Sequence, residues 1–268
     1  MVENTYDVSR MHYIERGSGD RTMLLVHGMA CDHHDWVHQI DHFARDWRVV
    51  AIDLPGHGES PPPTDGYSMD KFAAAIAAFI DYRKLGKPVV VGHSYGGSTA
   101  LTLGMNHPDV PSALVALDCS FGVPPQLVGF LEDHYATLTP ETFVDSVWKF
   151  SARTVDPGDD PAISRKNIQQ IADFGLEKYL PMGRSIISWG GVGEKVHNIV
   201  APTVYIGSSR PFADLAEIRR VRPDWYVGQT VGAGHWHQMQ VPDQINAMIR
   251  DFLAQIDRGF PSPPPFDG

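Results

Sequence analysis

A serine stands at the centre of Gly92-His93-Ser94-Tyr95-Gly96, between an apolar run and a stretch of small residues. The run Pro88-Val89-Val90-Val91 reads as a buried parallel strand, and Gly97-Ser98-Thr99-Ala100-Leu101-Thr102-Leu103 as the start of a helix. On a tight strand-to-helix turn a serine is held in a strained conformation with its hydroxyl clear of the backbone. The flanking glycines let strand and helix approach without clashing side chains. G-x-S-x-G alone is a weak signal; between a hydrophobic strand and a small-residue helix it is a strong one. The chemistry it suits is attack of the Ser94 hydroxyl on a carbonyl carbon.

A serine hydroxyl is a poor nucleophile at neutral pH and needs a histidine base oriented by an acid. His235 is the expected base: it lies in Gly232-Ala233-Gly234-His235-Trp236-His237, after a predicted strand and before the C-terminal helix. His237, two residues on, is its rival. For the acid, the loop after the strand Thr203 to Ile206 reads Gly207-Ser208-Ser209-Arg210-Pro211-Phe212, with an arginine where an aspartate is usual. Arginine cannot accept the imidazole N–H and would repel an imidazolium. Asp118, in Leu117-Asp118-Cys119-Ser120 at the end of the preceding core strand, is therefore preferred, ahead of Asp214. Strand ends on that edge face the crevice that holds Ser94. The bland reading of Asp118 is a cap on the helical segment that follows. The backbone amides of Tyr95, at the start of the elbow helix, and of Met29, after His27-Gly28, are the expected oxyanion donors.

The elements that must position these groups alternate. Thr22 to Val26 reads as a strand, His33 to Arg45 as a helix with Trp36, Ile40, Phe43 and Ala44 on one side, and Trp47 to Ile52 as a strand. A turn-rich loop, Asp53 to Ser60, is followed by a long helix over Ser68 to Leu85 with Ser68 as its N-cap. The elbow comes next, then the strand Ala113 to Leu117. Strand-helix alternation predicts an α/β fold, a mostly parallel twisted sheet with helices on both faces. The rhythm breaks from 121 to 197, where prolines punctuate aromatic and helical pieces, and resumes at Thr203. This divides the chain into a core (1–120 and 198–258), a lid insertion (121–197) and a proline-rich tail (259–268). Within the lid, Trp148, Met182 and Trp189 are the expected substrate contacts, although most lid aromatics serve to cover the sheet in any case.

With 268 residues, 43% hydrophobic and 20% charged, the chain can bury a large core. A net charge of −10 argues against nucleic acid or an anionic membrane as partner. The expected partner is a small-molecule substrate, with a homodimer allowed. Cys31 and Cys119 form no disulfide framework, and the N-terminus has neither the basic nor the apolar region of a signal peptide, so a cytoplasmic location is expected. His33, His34, His38 and His42 follow helical spacing and read as packing and solvated positions, so no metal or cofactor is expected.

His27-Gly28-Met29, Asp53-Leu54-Pro55-Gly56-His57-Gly58-Glu59-Ser60, Gly92-His93-Ser94-Tyr95-Gly96-Gly97 and Gly234-His235 together resemble the α/β-hydrolase superfamily, in its order, over residues 10 to 256. The resemblance implies the α/β-hydrolase fold and a triad in the order Ser94, Asp118, His235. It leaves the substrate open, since superfamily members include esterases, lactonases, C–C bond hydrolases, amidases and dehalogenases. Relatives that remove halide carry aspartate at the elbow, unlike this chain. An acid at the position of Asp118 is seen in a minority of relatives, among them cofactor-free dioxygenases. Those place a substrate-binding histidine where this chain has Cys31. The expected activity is hydrolysis of a carboxylic ester or lactone of a small to medium apolar or aromatic compound through an acyl-enzyme. The alternatives are C–C bond hydrolysis or cofactor-free dioxygenation of an aromatic-derived substrate, and a non-catalytic ligand-binding member of the fold.

Overall fold

The computed structural model describes residues 3–259. Strands and helices follow in the order β1 (Tyr13–Arg16), β2 (Thr22–Val26), α1 (Val37–Phe43), β3 (Arg48–Ile52), α2 (Met69–Tyr82), β4 (Val89–His93), α3 (Tyr95–Asn106) and β5 (Ala113–Leu117). Four helices come next: α4 (Pro125–Ala136), α5 (Phe143–Ser151), α6 (Pro161–Phe174) and α7 (Leu176–Trp189). The chain then returns through β6 (Thr203–Gly207), α8 (Leu215–Val221), β7 (Tyr226–Gln229), α9 (His237–Gln240) and α10 (Pro242–Asp257). One sheet of seven strands runs β1-β3-β2-β4-β5-β6-β7. Among the strands named here, the β1–β3 pairing alone is antiparallel. Of the proline-rich tail, 260–268 lies outside the described residues.

The two-residue period of the strands sorts their side chains onto two cores. Leu24, Val26, Val50, Ile52, Val90, Leu114 and Ala116 pack with α2 and α3. Met23, Leu25, Val49, Ala51, Val91, Val115 and Leu117 pack with Trp36, Phe43 and α10. Covering both faces explains why β2 and β4 to β6 are buried at every position and mostly apolar. β1 escapes the sequence pattern because it is a short edge strand, only partly buried. The helix expected from His33 begins instead as a 3₁₀ turn, His33–Trp36, because the Asp32 carboxylate accepts the His34 N–H and the Asp53 carboxylate accepts that of His33. Ser68 caps α2, accepting the Lys71 N–H.

The four helices between β5 and β6 form a helical insertion with its own core, in which Leu131, Tyr135, Phe143, Val147, Ile168 and Tyr179 close on Trp236 of the sheet domain. No helix among the described residues is long and apolar enough to cross a membrane.

Candidate active site

The elbow is built by close backbone approach. Ser94 follows β4 with φ 53° and ψ −120°, a left-handed conformation costly for a residue with a side chain. Its N–H donates to Leu117 O, which ties the turn to the end of β5. A Cβ on Gly92 would sit 2.3 Å from Gly96 O, and one on Gly96 2.3 Å from His27 O, so neither position admits a side chain.

Ser94 Oγ lies 2.8 Å from His235 Nε2, and His235 Nδ1 lies 2.7 Å from Asp118 Oδ2. The carboxylate can only accept, so Nδ1 carries the proton, Nε2 is the free lone pair, and the Ser94 hydroxyl donates to it. Asp118, at the end of β5 with φ 39°, is fully buried. Its other oxygen accepts the N–H groups of Ser208 and Phe212, each at 3.1 Å. Burial alone would raise the Asp118 carboxyl, but the hydrogen bond and charge of His235 and the Ser208 amide outweigh it and hold it below the usual carboxylate range. The loop that carries Arg210 thus supplies backbone donors to the acid of the neighbouring strand. Arg210 itself is exposed.

The other candidates are occupied elsewhere. Asp214 is exposed and caps α8, accepting the Ala216 and Glu217 N–H groups. His237 is fully buried with Nδ1 3.0 Å from Thr230 Oγ1, and burial pushes its pKa down to about 4. His93, forced well below the ordinary imidazole range by burial, stays neutral and donates from Nε2 to His235 O at 2.8 Å.

Tyr95 is the first residue of α3, so its N–H has no intrahelical acceptor and stands at the positive end of the helix dipole, directly after Ser94. Tyr95 and Met29 both line the cavity that Ser94 opens into. The Tyr95 hydroxyl lies 2.8 Å from Ser185 Oγ of α7, and since Ser185 gives its own proton to Met182 O, Tyr95 is the donor.

That cavity measures about 160 Å³. Its walls correct the expectation for the insertion. Met182 is buried in the core shared with α2 and α3, Trp189 packs against that same core, and Trp148 packs into the core of the insertion; none of the three lines the cavity. The faces of α4 to α7 that meet the cavity present Leu131, Tyr135, Phe150, Ile171, Tyr179 and Ile186. Phe212 and Trp236, from the sheet domain, complete it. Both sit next to groups already singled out, Arg210 and His235, and that adjacency was the only sequence signal for them.

Among the described residues, His12, His33 and Asp53 cluster closely enough to hold a metal ion, as do Asp32, His33 and His34. In the first group the lone pairs of Asp53 already accept from His12 Nδ1, His33 Nδ1 and the His33 and Glu59 amides. That donor set satisfies the buried carboxylate without a cation. Cys31 and Cys119 are buried free thiols whose pKa values burial raises.

A family model described as "alpha/beta hydrolase fold" matches residues 21–241. Among curated proteins, the chain is 27% identical over 281 residues to mouse (Mus musculus) epoxide hydrolase 4, covering 93% of this chain and 77% of that one. Among solved structures it is similar to a thermophilic esterase from Thermogutta terrifontis, with a TM-score of 0.81, 20% identity and coverage of 92% of this chain and 93% of that one. It is also similar to an enol-lactonase from Burkholderia xenovorans, with a TM-score of 0.76, 18% identity and coverage of 91% and 96%.

Proposed function

The chain belongs to the alpha/beta hydrolase family, and from that premise we propose that it is a serine hydrolase that cleaves a carboxylic ester or lactone through an acyl-enzyme. The observation that carries this reading is the continuous relay from Ser94 Oγ through His235 to Asp118, with contacts of 2.8 and 2.7 Å, opening on an apolar cavity.

His235 Nε2 takes the proton of Ser94 as Oγ attacks the carbonyl carbon. The Tyr95 and Met29 amides hold the developing oxyanion. Asp118 stabilises the imidazolium, which then delivers its proton to the departing alkoxide. A water deprotonated by His235 attacks the acyl-enzyme, and collapse releases the acid and restores Ser94. A lactone follows the same course, its alkoxide remaining attached to the acyl chain.

The relatedness to an epoxide hydrolase raises a second chemistry, which the elbow residue disfavours. A serine oxygen that opened an epoxide would form an alkyl ether. An ether has no carbonyl for water to attack, so this relay could not regenerate the enzyme. An acyl-serine ester is hydrolysable by the same His235.

The cavity volume and its Tyr135, Phe150, Tyr179 and Trp236 lining support a neutral substrate with an apolar or single-ring acyl part. An apolar void of this size accommodates a molecule such as benzene. The test is a p-nitrophenyl ester panel of increasing acyl length with wild type, Ser94→Ala and Asp118→Asn. Hydrolysis by wild type, abolished in Ser94→Ala along with fluorophosphonate labelling, is expected. Undiminished hydrolysis in Ser94→Ala would exclude the acyl-enzyme.

A further inference from the structure

We propose that the helical insertion holds the base in register, and that Asp159 is the positioning residue through which it does so. The proposal rests on the acyl-transfer reading of Ser94 and His235.

Asp156-Pro157-Gly158-Asp159-Asp160 joins the 3₁₀ turn after α5 to α6. Asp159 is buried, and its two oxygens accept backbone N–H groups: Gly234 at 2.8 Å and Asp156 at 2.9 Å. A buried carboxylate pays a large desolvation cost, which charge-assisted bonds of this kind offset. One of the two bonds stays within the Asp156–Asp159 turn; the other crosses to the residue preceding the base. The next N–H, that of His235 itself, donates to Thr154 O at 2.9 Å.

The sheet domain holds the complementary groups. His93 Nε2 donates to His235 O at 2.8 Å, and the Ser209 N–H donates to Ala233 O at 2.9 Å. The N–H groups of Gly234 and His235 therefore turn toward the insertion and the carbonyls of Ala233 and His235 toward the sheet, so His235 is gripped from both sides. The approach is close enough that a Cβ on Gly234 would stand 2.3 Å from Thr154 O and 2.7 Å from Asp159 Oδ2. A second latch lies beside it, where Gln240 Oε1 accepts the Asp160 N–H at 2.8 Å and Gln240 Nε2 donates to Ser164 Oγ at 3.2 Å. Ser151 and Thr154, just before this turn, line the catalytic cavity. The wall that meets substrate and the loop that carries the base thus form one unit, and displacing this edge of the insertion displaces His235.

Asp159→Ala should lower kcat for p-nitrophenyl butyrate about 10–100-fold with little change in KM, the scale of a misplaced catalytic group. Labelling of Ser94 by a fluorophosphonate should slow in parallel. The downfield proton resonance of the His235–Asp118 hydrogen bond should broaden or vanish. Asp159→Asn keeps one acceptor but sets an amide donor against the other N–H, so it should fall between wild type and Asp159→Ala; if Asp159→Ala does not fold, Asp159→Asn is read instead. Asp173→Ala, on the exposed side of α6, should leave all three readouts unchanged. A folded Asp159 variant with wild-type kcat and an intact resonance, even at a lower Tm, overturns the proposal alone. Full hydrolysis by Ser94→Ala removes the acyl-transfer reading and the proposal with it.

Discussion

Asp118 and His235, 117 residues apart in the chain, meet through a 2.7 Å contact in which the acid's second oxygen is held by the amides of Ser208 and Phe212. The carboxylate is thus fixed by the loop after β6 and not by a residue of that loop acting as the acid. Asp118→Asn keeps the shape but offers an amide to the imidazole, which stabilises the wrong tautomer. The expected loss is about 10³–10⁴-fold in kcat, measured on p-nitrophenyl butyrate. Asp214→Ala should leave kcat unchanged and cost only about 1 kcal/mol of stability, through the lost cap of α8. An Asp214 variant crippled in kcat, beside an active Asp118→Asn, would reverse the assignment.

Asp35 makes stability fall as the pH rises. It is fully buried beside Cys31, whose thiol is a weak donor to the carboxylate. Burial pushes its pKa up to about 6. Between the unfolded value of 3.8 and about 6 the folded state binds more protons than the unfolded one, so stability falls as pH rises across that window and stays reduced above it. Asp35→Asn should therefore be more stable than wild type at pH 8, by about 2–3 kcal/mol at most, and gain little at pH 4. Denaturant unfolding at the two pH values measures this. An equal effect at both would show that the charge of Asp35 is not the source.

What the sequence disclosed follows from burial. β2 and β4 to β6 are covered on both faces, so their apolar runs stood out, whereas the half-exposed β1 carries no such run. The elbow was legible because backbone contacts, from Gly96 O at Gly92 and from His27 O at Gly96, leave both positions to glycine. Arg210 pointed to Asp118 only by what it could not do. The cavity wall was not legible. Trp148 and Met182 stay off the cavity beside Ser94 while Tyr135 and Phe150 line it, and all four sit on helices of the insertion whose rotation is set by long-range packing. The Asp159 contact joins positions 75 residues apart through backbone N–H groups, which leave no trace in residue type.

Phe212 is expected to set the size limit of the substrate. Its ring centroid is 4.3 Å from that of His235, the residue is 44% exposed, and it lines both the cavity beside Ser94 and an adjoining surface groove with Val123. It stands between the two. Phe212→Ala should join them and raise kcat/KM for long acyl chains relative to butyrate by about tenfold, the value of a methylene or two of added apolar contact. An unchanged chain-length profile would remove Phe212 from the substrate path.

Charge should discriminate more sharply than size. Among the described residues that line the cavity none is Lys or Arg, and the one acid present, Asp118, is already committed to His235. A substrate carboxylate would have to lose its hydration with no cation to receive it, beside a negative charge. Even a penalty of about 3 kcal/mol in the transition state reduces kcat/KM by more than 100-fold. The monoester of succinic acid should therefore be cleaved at least about 100-fold more slowly than its uncharged dimethyl ester at pH 8, with the gap narrowing as the pH falls toward the carboxyl's own pKa near 4 and the neutral acid becomes available. The two esters match in carbon chain and scissile bond, so leaving-group chemistry cannot account for a difference between them. Comparable rates at pH 8 would mean that a cation from outside the cavity wall reaches the acyl end of the substrate.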